Sequence, residues 1–230
     1  GYSMKVAKFG GSSLADGAQF KKVKGIVESD KSIGVVVPSA PGKRHGKDHK
    51  VTDLLYMCHQ LASHGLNFDE VYTIIQERYR GICSELEADI PIDSILSDIK
   101  THIRDGASRD YCASRGEYIN GLILSDYLDI PFVDAAELIR FDSMGQLDEE
   151  KTRSIIFQRL MSVEKVVVPG FYGSNEDGSI RTFSRGGSDV TGAIIADGVD
   201  AELYENWTDV SGFLMADPRV VKDPKPIKLV

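Results

Sequence analysis

Cysteine is scarce: Cys58, Cys83 and Cys112 are odd in number, far apart and in no C-x-x-C pair. This excludes a disulfide framework and a zinc ribbon and fits buried thiols in a reducing compartment. No apolar run approaches the ~18 residues of a membrane-spanning helix, and the N-terminus lacks the basic region and apolar core of a signal peptide. Neither membrane nor export is expected, and the cytoplasm is the expected location. Positive charge is also short. The 27 Lys and Arg residues against 35 Asp and Glu give a net charge of −8 and a pI near 5.2. Such a balance speaks against nucleic acid as partner and requires any anion site to be locally positive. Missing too are G-x-x-x-x-G-K-[ST], the H-R-D and D-F-G pair, G-x-S-x-G and H-E-x-x-H, which weakens P-loop, protein-kinase, hydrolase and zincin readings. There is no fixed-period repeat and no low-complexity segment.

What remains is long enough, at 230 residues, for one large α/β domain or two small lobes. Gly1-Tyr2-Ser3 ahead of Met4 is set aside as foreign to the fold. Met4 to Phe9 alternates lysine with apolar residues like a buried strand, and Gly10-Gly11-Ser12-Ser13 follows at once. Glycines without Cβ let an anion approach the amides. The serine pair can cap the next helix, and Lys8 adds a mobile charge. Alone, this stretch fits both a phosphate cradle and an ordinary strand-turn-helix junction.

Phe20, Val23, Ile26 and Val27 then predict an amphipathic helix, and Ile33 to Pro38 a buried strand. This β-α-β unit implies a parallel sheet, whose ligands collect at strand carboxyl ends, where Gly10-Gly11 and Ser39-Ala40-Pro41-Gly42 both lie. His45 and His49 share a basic loop, but Gly46 lies between them and no third ligand is near, so no metal site is expected. Three helices follow, one capped by Thr52, one opened by an Asn67/Glu70 capping box, and one marked by Ile95, Ile99 and Ile103. They predict a helical layer over 51–128. A fourth helix, Ser108 to Leu128, carries Gly116 and Gly121, each costing ~1 kcal/mol against alanine, which asks for close backbone packing or a ligand alongside. Glu117, one turn from Ala113 and Asn120, lies on that face, unless it is an ordinary surface acid.

Strands are predicted at Ile130–Val133 and Val163–Val168 around a helix at Glu149–Met161, then a polar edge hairpin over 172–183. Ser184-Arg185-Gly186-Gly187-Ser188-Asp189 repeats the opening logic: glycines, Ser188 at the cap, a helix start, and an arginine suited to a bidentate anion. Asp189 alone is equally explained by the helix dipole. A strand at Glu202–Trp207 and a loop through Thr208-Asp209 lead to Asp217-Pro218-Arg219 and a Lys/Pro-rich tail without a helix of its own. The fold class expected is α/β, a three-layer αβα sandwich with a mainly parallel central sheet.

Lys8-Phe9-Gly10-Gly11-Ser12-Ser13, Ser39-Ala40-Pro41-Gly42, Thr52-Asp53-Leu54-Leu55, Ser114-Arg115-Gly116-Glu117, Gly170-Phe171, Ser184 to Asp189, Trp207-Thr208-Asp209-Val210 and Asp217-Pro218-Arg219 follow one another as in the aspartokinases of the amino acid kinase family. The chain resembles that family over almost its whole length. The resemblance implies transfer of phosphate from ATP, with Mg2+, directly to the β-carboxylate of L-aspartate, the first step toward lysine, threonine and methionine. It implies that Lys8 stabilises the transferring phosphoryl while Gly10, Gly11 and Ser12 hold phosphate oxygens. Arg185 would clamp the substrate α-carboxylate, and Glu117 with Asp189 would meet its ammonium, Asp189 also counting as catalytic. Ser39, Thr52, Phe171 and Ser188 would complete the pocket. Thr208, Asp209 and Arg219 would lie on the nucleotide side, with Leu214 near the adenine. A homodimer is implied as well.

In domain terms the resemblance gives one catalytic domain over 1–230, with an aspartate-binding lobe to about 160 and a nucleotide-binding lobe from about 161. Family members carry further sequence, including a lysine that approaches ATP and usually paired ACT domains, and neither falls within these residues. Proline at 41 and serine at 211 differ from some relatives. Two alternatives stand beside this reading: another carboxylate or phosphate acceptor, which two acids facing the amine disfavour, and a catalytically silent nucleotide-binding fragment.

Overall fold

The computed structural model describes residues 4–221; the Gly1-Tyr2-Ser3 leader and the Lys/Pro-rich tail lie outside the described residues. A five-stranded sheet divides the fold. Its strands are β1 (Lys5–Phe9), β2 (Ile33–Pro38), β3 (Val166–Val167), β6 (Leu203–Val210) and β7 (Phe213–Val220), in the order β3-β2-β1-β6-β7. All neighbours are parallel except β6 and β7, which form an antiparallel hairpin. A separate two-stranded ribbon pairs β4 (Tyr172–Ser174) with β5 (Ile180–Thr182).

Strand alternation sends side chains to two cores. On one face Ala7, Phe9 and Val36 pack under α1 (Gly17–Ser29), α2 (Val51–Ser63), α3 (Asp69–Leu86), α4 (Ile92–Arg104) and α5 (Arg109–Leu128). On the other, Val6, Val35 and Val37 pack under α6 (Glu149–Leu160), α7 (Gly187–Gly198) and the segment around Leu138 and Ile139. The three-layer αβα sandwich with a mainly parallel sheet is thus present, including the helical layer over 51–128.

The glycines of α5 pack closely. A Cβ on Gly116 would lie 2.8 Å from that of Ala40, and one on Gly121 3.0 Å from the Phe132 ring. Close packing against the loop after β2 and α2 for Gly116, and against Phe132 and Pro169 for Gly121, therefore explains both.

Several local expectations are corrected. The serine pair does not cap α1: Gly11–Leu14 first makes a 3-10 turn, and Asp16 then accepts from Gln19 N. Thr52 lies inside α2, whose N-cap position is Lys50. Asn67 accepts from Asp69 N at 2.7 Å, but the N-cap position of α3 is Phe68, so the capping box is replaced by an Asx turn. Gly186, at φ 77°, rather than Ser188, precedes α7, because this entry requires left-handed backbone.

Ile130–Val133 shrinks to a bridge between Phe132 and Val167, with the Pro131 carbonyl accepting from Val167 N. Pro131 has no N–H with which to extend that ladder. The strand expected over Val163–Val168 is confined to Val166–Val167. The ribbon exists, yet Tyr172 and Ser174 are buried, because Tyr172 packs in the second core and donates to Asp134 while Ser174 donates to the Ala136 carbonyl. The expected loop after Trp207 is instead the β6-β7 hairpin, turned at Ser211-Gly212, both at positive φ.

Candidate active site

The carboxyl ends of β1 and β2 meet. Ser39 N donates to the Phe9 carbonyl at 3.0 Å and Gly42 N to the Gly11 carbonyl at 2.9 Å. The two loops run so close that a Cβ on Gly42 would sit 2.7 Å from the Gly11 carbonyl carbon. Only glycine fits such an approach. Between these loops and α5 opens a cleft of about 420 Å³ lined by Gly11, Ser12, Ser39, Lys43, Lys50, Thr52 and Glu117, among others. The expected residues Gly11, Ser12, Ser39, Thr52 and Glu117 are therefore brought to one cavity.

Glu117 is buried on α5, and its Oε1 has no hydrogen-bond partner. Burial pushes its carboxyl up to about 8, only partly offset by the Ala40 N–H. One turn on, Asn120 donates to the Ser39 carbonyl at 2.8 Å and fixes that loop against the helix.

Lys8 emerges on the other face of β1, toward α7. Its Nζ donates to Asn206 Oδ1 at 3.2 Å and stands 3.9 Å from Asp189 Oδ1, with little exposure. Burial lowers its pKa, Asp189 opposes that shift, and the Arg219 charge adds to it. Asp189 Oδ1 also accepts from the Tyr204 hydroxyl at 2.7 Å. Lys8 is thus aimed by two strands and a helix start. Gly10 lies beside it: a Cβ there would be 3.6 Å from Lys8 Nζ and 3.9 Å from Thr208 Cγ2.

Ser188 packs beneath Gly170, where a Cβ would strike its Oγ, and that Oγ is buried without a partner. Phe171 has left-handed backbone, φ 87°, with its N–H donating to Thr191 Oγ1 at 2.8 Å. Arg185 is exposed in the loop before α7 and forms no hydrogen bond or ion pair among the described residues. On the hairpin, Asp209 N is 3.4 Å from Ser12 Oγ, which ties β6 to the glycine loop, while Asp209 Oδ1 is buried and unpartnered. Arg219 pairs with Asp217 at 3.6 Å in full exposure, a contact worth little. Leu214 is half-buried against the first core beside Trp207, whereas Lys8 emerges on the opposite face. The apolar surface exposed on the hairpin belongs instead to Val210, Phe213 and Met215.

The geometry therefore offers a cation aimed along a strand end, two fused glycine loops, and a polar cleft with a buried acid. The profile of the amino acid kinase family matches residues 3–230. The chain belongs to that family. Within the amino acid kinases it is similar to aspartokinase 3 of Bacillus subtilis (strain 168), 37% identical over 97% of this chain and 52% of the relative. The crystal structure of Clostridium acetobutylicum aspartate kinase matches with a TM-score of 0.89 and 57% identity, over 93% of this chain and 49% of that one. Escherichia coli aspartokinase III, solved with aspartate and ADP, matches with a TM-score of 0.76 and 26% identity over 90% of this chain and 49% of that one. The chain spans about half the length of these relatives.

Asn206, Tyr204 and Asn120 were not singled out from sequence as parts of the site. Alternation along β6 puts Tyr204, Asn206 and Thr208 on one face, which is the signal that could have found the first two. Asn120 carries no such signal beyond its turn from Glu117. No helix among the described residues is long and apolar enough to cross a membrane.

Proposed function

We propose that this chain transfers the γ-phosphoryl group of ATP to the β-carboxylate of L-aspartate, giving 4-phospho-L-aspartate and ADP. The observation that carries this reading is the junction of the two glycine loops with Lys8 on one side and the Glu117 cleft on the other. Similarity to aspartate kinases over nearly the whole chain supports the choice of acceptor.

A β-carboxylate oxygen attacks the γ-phosphorus, and the bond from that phosphorus to the β,γ-bridging oxygen breaks. The nucleophile is already ionised, so no side chain need act as base. Such transfer depends on alignment and on positive charge at the moving group. Lys8 supplies that charge, held in place by Asn206 and Asp189. Gly11 and Ser12 receive phosphate oxygens at their amides, while Gly10, whose N–H donates to the Trp207 carbonyl at 3.0 Å, contributes room beside Lys8 rather than a donor. Thr208, Asp209 and Arg219 flank the nucleotide, with the hairpin around Leu214 near the base. Arg185, free of other partners among the described residues, grips the α-carboxylate as a bidentate fork. Glu117 takes the ammonium, helped by Asp189; Ser39, Thr52, Phe171 and Ser188 complete the pocket.

Magnesium accompanies ATP in this reading. Among the described residues there is no group of three His, Cys, Asp or Glu side chains that could hold a metal ion; magnesium that arrives with a nucleotide is held chiefly by phosphates and water. Bound there, it neutralises charge on the triphosphate.

In this reading the lobe to about 160 carries the cleft beside Glu117 and the lobe from about 161 the nucleotide-flanking hairpin, with Phe171, Arg185, Ser188 and Asp189 reaching the acceptor from the second lobe and the Lys8–Ser12 loop reaching the phosphates from the first. A homodimer and a cytoplasmic setting belong to the same proposal, the latter supported by three buried free cysteines. The test is ADP release with Mg-ATP in the presence of L-aspartate, L-glutamate or N-acetyl-L-glutamate. Aspartate-dependent release is expected, and release driven equally by glutamate would overturn the choice of acceptor.

A further inference from the structure

Arg78 lies in the middle of α3, far from the cleft in sequence, and its side chain is only 2% exposed. A buried guanidinium is expensive unless its donors are met. Here the four terminal N–H groups are met, mainly by backbone, while Nε is buried without a partner. Nη2 donates to the Gly42 carbonyl at 2.7 Å and to the Ala15 carbonyl at 3.0 Å. Nη1 donates to the His49 carbonyl at 3.0 Å and to Asp48 Oδ2 at 3.3 Å. Asp48 is itself gripped by Arg44 through contacts of 2.6 and 3.0 Å.

These acceptors fall in three separate segments. Ala15 closes the 3-10 turn that presents Gly11 and Ser12; Gly42 ends the Ser39-Ala40-Pro41 loop; His49 directly precedes Lys50 and Thr52 at the start of α2. The cleft is built from the same three segments together with Glu117 of α5. One planar fork therefore holds, from behind, the backbones whose front edges line the proposed site. The Gly42-to-Gly11 hydrogen bond ties two of them in front. The third is joined to the Gly42 loop by the intervening residues 43–48, where Arg44 grips Asp48, and by the Val51-to-Pro41 backbone bond at 3.3 Å. The guanidinium links all three at one point. Lysine, a single point charge, cannot hold four acceptors in this fixed arrangement.

We infer that Arg78 is a positioning residue that sets the relative placement of the phosphate-binding and acceptor-binding loops without touching either substrate. The inference rests on the proposed aspartate kinase reaction for its kinetic consequence, though not for its structural one. Misalignment of two bound reactants slows transfer more than it weakens binding.

The experiment compares Arg78→Lys and Arg78→Met with the wild-type 230-residue chain, well below each melting temperature, by steady-state kinetics and by amide hydrogen exchange. For Arg78→Lys the expectation is a kcat lowered by about 10- to 100-fold while the KM for either substrate moves less than about 3-fold. Exchange should rise at least about tenfold at residues 10–15 and 42–50 with β2 unchanged, as local opening requires, and Arg78→Met should exceed Arg78→Lys in both readouts. Unaltered kcat in folded variants, or exchange that rises evenly across the chain, overturns the inference. Failure of even Arg78→Lys to fold overturns it too, because the guanidinium would then hold the whole domain rather than the rim of the cleft. The exchange pattern needs no turnover, so a wild-type chain inactive toward aspartate would defeat the functional reading while leaving this one to its own test.

Discussion

Glu117 makes the affinity for an amino acid depend on pH. Its carboxyl is buried on α5 with Oε1 unpartnered, and burial pushes it up to about 8. At pH 7 the free protein then keeps this group about nine-tenths protonated, and an ammonium can be met only by the ionised tenth. The apparent dissociation constant for L-aspartate should scale as one plus the ratio of protonated to ionised carboxyl. It should fall about eightfold between pH 7 and 8.5. Binding at pH 7 should release about 0.9 proton per aspartate, because the bound ammonium holds the ionised form. Calorimetric titrations in two buffers of different ionisation enthalpy measure that release directly.

The same group acts on stability. Its folded pKa lies above the unfolded 4.5, so its contribution is fully present below about pH 4.5 and is lost as pH rises to about 8, at up to about 1.4 kcal/mol per pH unit. Glu117→Gln should abolish both the proton release and this share of the pH slope. Proton release of zero with a pH-independent affinity would refute the reasoning, placing the ammonium elsewhere.

Lys8→Ala should lower kcat by ~10²-fold or more while calorimetry still detects nucleotide, as expected on removing a preorganised donor at developing charge. Arg185→Lys should raise the KM for aspartate and leave that for ATP unmoved in initial-rate assays, since a point charge replaces a fork; movement of the ATP constant alone would reverse the assignment of that loop. Gly42→Ala places a Cβ 2.7 Å from the Gly11 carbonyl carbon, so thermal melts should show a loss of about 1–3 kcal/mol, with weaker substrate binding as the loops part.

Strands and helices buried by regular alternation were legible in the sequence. β1, α1 and β2 follow from apolar periodicity, and the glycine pairs at 10–11 and 186–187 mark turns that local chemistry demands. Helix entries were less so. The 3-10 turn over Gly11–Leu14 shifts the cap of α1 to Asp16, a competition among serine, aspartate and glycine that spacing alone does not decide. β7 escaped because Pro218 argues against a strand, yet proline is tolerated on an edge, where its missing N–H leaves no ladder bond unmade. The two-residue turn at Ser211-Gly212 was the available clue. In the site, loop residues announce themselves by type, whereas Arg78, Asn120, Tyr204 and Asn206 act through partners 15 or more positions away. Their roles depend on tertiary placement, as does the burial that shifts Glu117.

The central claim is that an acyl phosphate forms on aspartate. Incubating the chain with Mg-ATP, L-aspartate and hydroxylamine, and identifying the trapped product by mass spectrometry, tests it most directly. The account predicts the β-hydroxamate of aspartate in step with ADP. ADP released at the same rate without aspartate, or no hydroxamate from a chain that still binds ATP, would contradict it.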